Sequence, residues 1–394
     1  MTIKLSHRSQ KVKPSPTLAI TAKANALKAA GEDVIGLGAG EPDFDTPEVA
    51  KQAAISAINA GMTKYTAVNG TNELRQAICD KFKRENQLDY DLDQILVSVG
   101  AKHSIYNLCQ ALLNEDDEAI IPAPYWVSYP DMVQLAGGIP VIIHTDIDQQ
   151  FKITPDELKG ALNNSTRLLI LNSPSNPTGS VYSEAELKAL AKILLDYPKV
   201  VILSDDIYEH IFWAEKSFCN IVNVCPELTP RCAVINGVSK AYAMTGWRIG
   251  YTAGPVELIT AMKTIQSQST SNPTSIAQAA ATAALNSPSE DLNHMVSAFK
   301  ERHDYVVAML NSIRGIRCIK SDGSFYAFPN MQELIDDLNG VNNDVELADY
   351  LISKLGVALV PGSAFGAPGY MRLSFATDLS TLKDALARIA KHFN

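Results

Sequence analysis

Five short apolar runs constrain this chain most: "QILVSVG" (94–100), "EAIIPAP" (118–124), "TRLLILNSP" (166–174), "KVVILSDD" (199–206) and "CAVINGVS" (232–239). Each is continuous in Val, Ile, Leu or Ala rather than alternating with polar residues. A strand built that way must be covered on both faces, as in a parallel sheet flanked by helices. Amphipathic stretches such as "SEAELKALAKILLDY" lie between the runs, with Ser183 placed to start a helix ahead of an acidic first turn. From residue 50 to 290 the alternation predicts a doubly wound α/β unit with a mostly parallel sheet.

The C-terminal part reads differently. "GSFYAFPN", "GVALVPGSAFG" and "YMRLSFAT" are strand-like, while "DVELADYLISKL" and "LSTLKDALARIAKHF" are helical, which predicts a smaller α+β unit. A chain of 394 residues exceeds what one core usually organises, so two domains are expected. No repeat, low-complexity tract or long linker divides the sequence, so the two are expected to pack closely.

Charge narrows the function. Lys and Arg total 34 against 43 Asp and Glu, a net charge of -9, which argues against a general nucleic-acid or anionic-membrane surface. Any positive site must be local. Cys79, Cys109, Cys219, Cys225, Cys232 and Cys318 form no CxxC pair, and the histidines form no HExxH, so no metal is expected. Reduced thiols, no signal-like apolar segment at the start and no run near the ~20 residues of a membrane span point to a cytoplasmic protein.

In open parallel sheets, ligands bind beyond the carboxyl ends of the strands. After the first run, Gly100, Ala101 and Lys102 open a helix whose N–H groups could meet a phosphate, although a plain tight turn reads equally well. Trp126 follows the second run, as a ligand platform or as core. Asn176 follows the third, within Pro and Gly residues that would hold its amide rigidly. Asp205 closes the fourth, where an unpaired carboxylate would be costly and a cationic partner is required. Tyr208 is expected on the same helical face as Asp205, with Asp206 and Glu209 facing solvent. Lys240 follows the fifth run inside "NGVSKAYAMTGWRIGY", which offers no carboxylate to neutralise it. A lysine so placed is a candidate for a lowered pKa and for Schiff-base chemistry. Arg248, in "GWRIG", has the planar guanidinium that suits a phosphate. One lysine, one strand-end aspartate and one such arginine match the aldehyde, pyridine nitrogen and phosphate of pyridoxal 5′-phosphate.

With these residues assembled, the chain resembles the class I aminotransferases of fold type I, and within them the bacterial aspartate aminotransferases of the I-beta branch. The resemblance runs through "KPSPTLAITAKA", "GAGEPDFDTP", "KYTAVNGTNELR", "PYWVSYPDMV", "NSPSNPTG", "SDDIYEH", "SKAYAMTGWRIGY" and "YMRLSFAT", nearly the whole chain. It implies a homodimer of a large cofactor domain, 47–295, and a small domain from both chain ends, 1–46 and 296–394. It implies Lys240 as the Schiff-base lysine, Asp205 as partner of the pyridinium nitrogen, Tyr208 and Asn176 on the phenolate oxygen, and Trp126 stacked on the ring. Gly100, Ala101, Lys102, Ser239 and Arg248 would surround the phosphate, which Tyr65 would reach from the other subunit. Arg372 would grip the substrate α-carboxylate, Gly40 would leave room beside it, and Lys102 with Ser15 or Thr17 would meet the distal carboxylate. One departure is Gly237, where the animal-type branch carries a hydroxyl residue that contacts the phosphate. The implied reaction is reversible ping-pong transfer of the amino group of L-aspartate to 2-oxoglutarate. Aromatic amino acids, prephenate or alanine are the alternative substrates, and a β-lyase of the same fold is the alternative chemistry.

Overall fold

A computed structural model describes residues 3–12, 14 and 16–394. Its central feature is a seven-stranded sheet formed by β2 (Ile95–Ser98), β3 (Glu118–Ala123), β4 (Ile139–His144), β5 (Thr166–Asn172), β6 (Val201–Asp205), β7 (Cys232–Gly237) and β8 (Gly250–Ala253), β1 (Ile35–Gly36) lying outside it. The strand order is β2-β8-β7-β6-β5-β3-β4, with every pairing parallel except those of β8, which runs antiparallel to both neighbours. All five apolar runs form strands of this sheet. β4 and β8 were not among them: β4 is an edge strand with partly exposed residues, and β8 is only the four residues "GYTA".

The continuous apolar character follows from two-sided burial. Leu169, Leu171, Ile202 and Val234 join one core, whereas Leu168, Ile170, Leu203 and Ile235 join another on the opposite face. Helices Asn72–Lys81, Glu184–Leu195 and Ser275–Leu285 feed the first core, and Ala101–Leu112, Ser128–Leu135 and Val256–Ser267 the second. Burying each such Leu or Ile favours folding by about 1.5–3 kcal/mol, so neither face can be left open. Helix Glu184–Leu195 begins as its sequence predicts: Ser183 accepts from the Glu186 N–H, and Glu186 accepts in return from the Ser183 N–H at 2.7 Å.

A third core draws on the chain ends. β9 (Tyr326–Ala327), β11 (Val360–Pro361) and β12 (Met371–Ser374) form an antiparallel sheet in the order β11-β12-β9, and β1 pairs in parallel with β10 (Val357–Ala358). Helices Asn293–Asn311 and Leu379–Phe393 cover it through Phe299, Leu310, Leu382 and Ile389. Leu37 N–H donates to Ala358 at 2.9 Å and Ser374 N–H donates to Leu37 at 2.8 Å, so the N-terminal segment is threaded beside β12. That threading places the chain around Gly40 next to Arg372 although the two are far apart in sequence.

Candidate active site

A cavity of about 250 Å³ opens at the carboxyl ends of β5, β6 and β7. The strand register lines up Asn172 with Asp205, and Asp205 with Ile235, so the polar residues that end these runs arrive in one row. Asp205, Tyr208, Ser239, Lys240 and Asn176 all line the cavity. So do Ala101, Lys102, Trp126 and Arg248, together with Gly40, Thr17 and Arg372.

Asp205 is buried, and burial pushes its carboxyl up to about 6. Three groups oppose that rise: the Tyr129 hydroxyl donates to Oδ2 at 2.6 Å, the Ile207 N–H donates to Oδ1 at 3.3 Å, and Lys240 adds its charge. Tyr208 shares a 3.0 Å hydrogen bond with the hydroxyl of Tyr326, and burial holds its phenol well above the ordinary range. Asn172 ties the row together. Its Nδ2 donates to the Asp205 carbonyl at 2.9 Å, and its Oδ1 accepts from the Asn176 N–H at 2.8 Å.

Lys240 sits on a turn that leaves β7. Val238, Ala241, Tyr242, Met244 and Ile249 anchor that turn in the core, which explains the apolar residues around the lysine. Its Nζ donates to the Gly40 carbonyl. Burial, then the positive charges of Arg372 and Arg248, lower its pKa to about 8, so roughly a tenth of the amine is neutral near pH 7.

Arg248 adopts a left-handed backbone conformation, φ 57°, and its Nη1 donates to the Thr245 carbonyl at 2.8 Å. It reaches across the N-terminus of helix Ala101–Leu112, whose N-cap is Gly100. A Cβ on Gly100 would collide with the Arg248 guanidinium, so only glycine permits this approach. Helix N–H groups, Arg248 and Ser239 are the groups at this end of the cavity that could hold an anion. Gly237 is equally constrained, since a Cβ there would lie 2.9 Å from the Ile249 carbonyl oxygen and 3.0 Å from the Gly250 Cα. The hydroxyl residue that the animal-type pattern has at this position would require β8 to move.

Arg372 is 2 % exposed. Its Nη1 donates to Asn176 Oδ1 at 2.9 Å and Nη2 to the Gly38 carbonyl at 2.7 Å, while Nε is buried without a partner. The guanidinium lies 4.4 Å from the Tyr326 ring centroid, and a Cβ on Gly40 would press to 2.9 Å from the Tyr326 hydroxyl. Thr17 Oγ1 is likewise buried without a partner. Lys102 Nζ stands 5.0 Å over the Trp126 ring, and burial plus the charge of Arg248 lower its pKa.

Several expectations need correction. Asp206 and Glu209 do not face solvent: they are 1 % and 6 % exposed, held in a polar network away from the cavity. Tyr208 is on a turn rather than a helix, because the chain leaves β6 through consecutive turns. Tyr65, expected at the neighbouring subunit's site rather than at this one, needs none: it is 91 % exposed and lies outside this chain's cavity. Ser15 lies outside the described residues. Tyr129, Tyr326 and Asn172 line the cavity and escaped sequence reading, because an aromatic or a strand-end Asn carries no motif by itself.

Residues 32–389 match the profile of the family described as aminotransferase class I and II. The chain is 56 % identical to the aspartate/prephenate aminotransferase of Nitrosomonas europaea, over 98 % of this chain and 99 % of that one. The structure of an aspartate aminotransferase from Rhizobium meliloti superposes with a TM-score of 0.96 at 47 % identity, covering 99 % of this chain and 98 % of the other. That of the Thermus thermophilus aspartate aminotransferase with maleate gives 0.92 at 41 %, covering 99 % and 100 %.

Proposed function

Because the chain belongs to the class I and II aminotransferases, we propose that it is an aspartate aminotransferase working with pyridoxal 5′-phosphate in the cavity at the ends of β5, β6 and β7. It exchanges the amino group of L-aspartate for the oxo group of 2-oxoglutarate, giving oxaloacetate and L-glutamate. The observation that carries this reading is the convergence of Lys240, Asp205, Arg248 and Arg372 on one cavity.

The residues fit the cofactor. Lys240 would hold its aldehyde carbon, Asp205 its ring nitrogen, Tyr208 and Asn176 its phenolate oxygen, and Trp126 its ring face. Gly100, Ala101, Lys102, Ser239 and Arg248 would receive its phosphate. The glycine at 100, which lets Arg248 close on the helix N-terminus, supports this assignment. When bound, pyridoxal phosphate supplies an electron sink, a protonated ring that accepts the electron pair left when a substrate α-carbon loses its proton.

The chain's own groups do the rest. Arg372 binds the α-carboxylate and fixes the α-carbon, using an Nε that is buried without a protein partner. Lys240 Nζ, with its pKa lowered to about 8, takes the α-proton as a general base and, as an acid, would give it up to the carbon that had carried the cofactor's aldehyde. Asp205 keeps positive charge on the ring nitrogen. Lys102 and Thr17, both lining the cavity, meet the second carboxylate of a dicarboxylic substrate. Prephenate is a second amino acceptor in this reading: it too is a dicarboxylic 2-oxo acid, and the name of the Nitrosomonas relative includes it.

The enzyme works as a homodimer, with Tyr65 of each chain completing the neighbouring site. Support comes from Tyr65 itself and from exposed Ile55, Ile58 and Met62 on or just after helix Glu48–Asn59, an apolar face that a second copy would cover. The domain division at 47–295 and at 1–46 with 296–394, a cytoplasmic location and the I-beta branch belong to the same reading. All six cysteines are free thiols, and no helix among the described residues is long and apolar enough to cross a membrane.

An absorbance spectrum of the protein loaded with cofactor, before and after adding L-aspartate, L-phenylalanine or L-alanine separately, tests the reading. Conversion to the pyridoxamine form by aspartate alone is expected. Conversion by phenylalanine or alanine instead would overturn the substrate, and absence of any cofactor band would overturn the role of Lys240.

A further inference from the structure

We infer that Tyr129 is a positioning residue that holds Asp205 ionised and aimed at the ring nitrogen, and that it couples this carboxylate to the ring platform, Trp126. The inference rests on the proposed use of pyridoxal phosphate. Tyr129 lies in the first turn of helix Ser128–Leu135, where its N–H donates to the Trp126 carbonyl at 3.0 Å. Its ring packs edge-on against the Trp126 ring, with centroids 5.3 Å apart and planes at 85°. Its hydroxyl donates to Asp205 Oδ2 at 2.6 Å, whereas the other carboxylate oxygen has only the Ile207 N–H at 3.3 Å. One side chain therefore touches both the group that would stack on the ring and the group that would pair with it.

Orientation follows from this geometry. A carboxylate free to rotate on a strand end would spread its charge over several directions. With Oδ2 committed to a buried phenol, Oδ1 is the oxygen left for the ligand. Burial and the nearby charge of Asp205 keep the Tyr129 phenol protonated far above neutral pH, so it stays a donor. Hydrogen bonds to an ionised group are worth more than those between neutral groups, and the loss is greatest in a buried site.

The test is a double-mutant cycle on cofactor affinity, with Tyr129→Phe, Asp205→Asn and the double variant titrated with pyridoxal phosphate and followed by absorbance. Phe keeps the ring packing, and thermal melting of the cofactor-free proteins verifies folding. Tyr129→Phe is expected to raise Kd about 10-fold, the effect of losing one hydrogen bond to a charge. In the Asp205→Asn background the same change should shift Kd less than about twofold, because the group it acts through is gone. A ring-carbon analogue of the cofactor, lacking the pyridine nitrogen, should bind Tyr129→Phe and the unmodified protein equally. An equal loss of affinity in both backgrounds, or an equal loss with the analogue, would reduce Tyr129 to a packing residue and overturn the inference, as would no loss at all. Failure of the unmodified protein to bind pyridoxal phosphate would overturn the functional reading and this inference with it.

Discussion

The segment 204–210 separates two clusters of buried charge that solve the same problem in opposite ways. Asp205 and Tyr208 line the cavity, where four cationic side chains, Lys102, Lys240, Arg248 and Arg372, stand against one carboxylate. Asp206 and Glu209 turn away from it. Glu209 accepts from Lys81, from Asn86 Nδ2 at 2.7 Å and from Asn236 Nδ2 at 2.7 Å, and His210 reaches Glu85 at 2.8 Å. Asp206 accepts from Ser204 Oγ and Asn220 Nδ2, each at 2.7 Å. Burial alone would raise Glu209, yet the charges of Lys81 and His210 hold it below its ordinary value, whereas Asp206 is pushed up to about 7 by burial and by Glu209. The rear cluster is closed in its hydrogen bonds: Glu85, Asp206 and Glu209 all have donors within the protein. The cavity keeps an excess of positive charge and the unpartnered Arg372 Nε and Thr17 Oγ1. Closed clusters hold a fold in place, and open ones await a ligand anion.

That distinction can be broken by mutation. Lys240→Ala should lower transamination by well over about 10³-fold, since it removes the general base, while thermal melting changes little. Substantial activity in that variant would end the assignment. In the rear cluster the loss should appear in stability instead. Lys81→Met strands a buried carboxylate and should cost about 3–5 kcal/mol in denaturant unfolding, and adding Glu209→Gln should recover much of it. Equal losses in the single and double variants would show that the pair is not a charge partnership.

Smaller effects sharpen the comparison within the cavity. Arg372→Lys should lower kcat/KM about 100-fold for aspartate and alanine alike, because the fork that grips the shared α-carboxylate is lost. Lys102→Ala should raise KM for aspartate about 10-fold and leave that for alanine nearly unchanged. Equal shifts for the two substrates would move Lys102 from the distal carboxylate to the phosphate. The last effect is one of pH. Asp205 is ionised above about 6 and neutral below. Only the carboxylate attracts a protonated ring, so cofactor affinity should hold above that pH and weaken by up to about tenfold per unit below it. Titrations with pyridoxal phosphate on either side of pH 6 would measure it, and Asp205→Asn should flatten the profile.

Much of the site was legible because catalytic chemistry and sheet topology leave the same mark. Asp205, Asn176 and Lys240 each follow a run of apolar residues too continuous to be anything but a buried strand, and polar residues there need a reason. Arg372 was less legible, since an arginine in "YMRLSFA" reads as readily as a surface ion pair until its burial is known. Asp206 and Glu209 were misread for a related cause. Their partners Lys81, Asn86, Asn220 and Asn236 come from distant segments. A carboxylate looks solvated until those donors are brought to it.

The sequence by itself determined the doubly wound sheet, through apolar runs that only two-sided burial tolerates, and the chemical kinds of residue that gather at its carboxyl edge. Tertiary structure decided which of them act together. The threading of residues 36–40 beside β12 brought Gly40 and Arg372 to Lys240, and the strand register set Asn172 beside Asp205. The first turn of a helix put the Tyr129 hydroxyl on that carboxylate. Periodicity encodes what each residue must be shielded from. Its partners depend on packing between segments far apart in the chain, which no local pattern records.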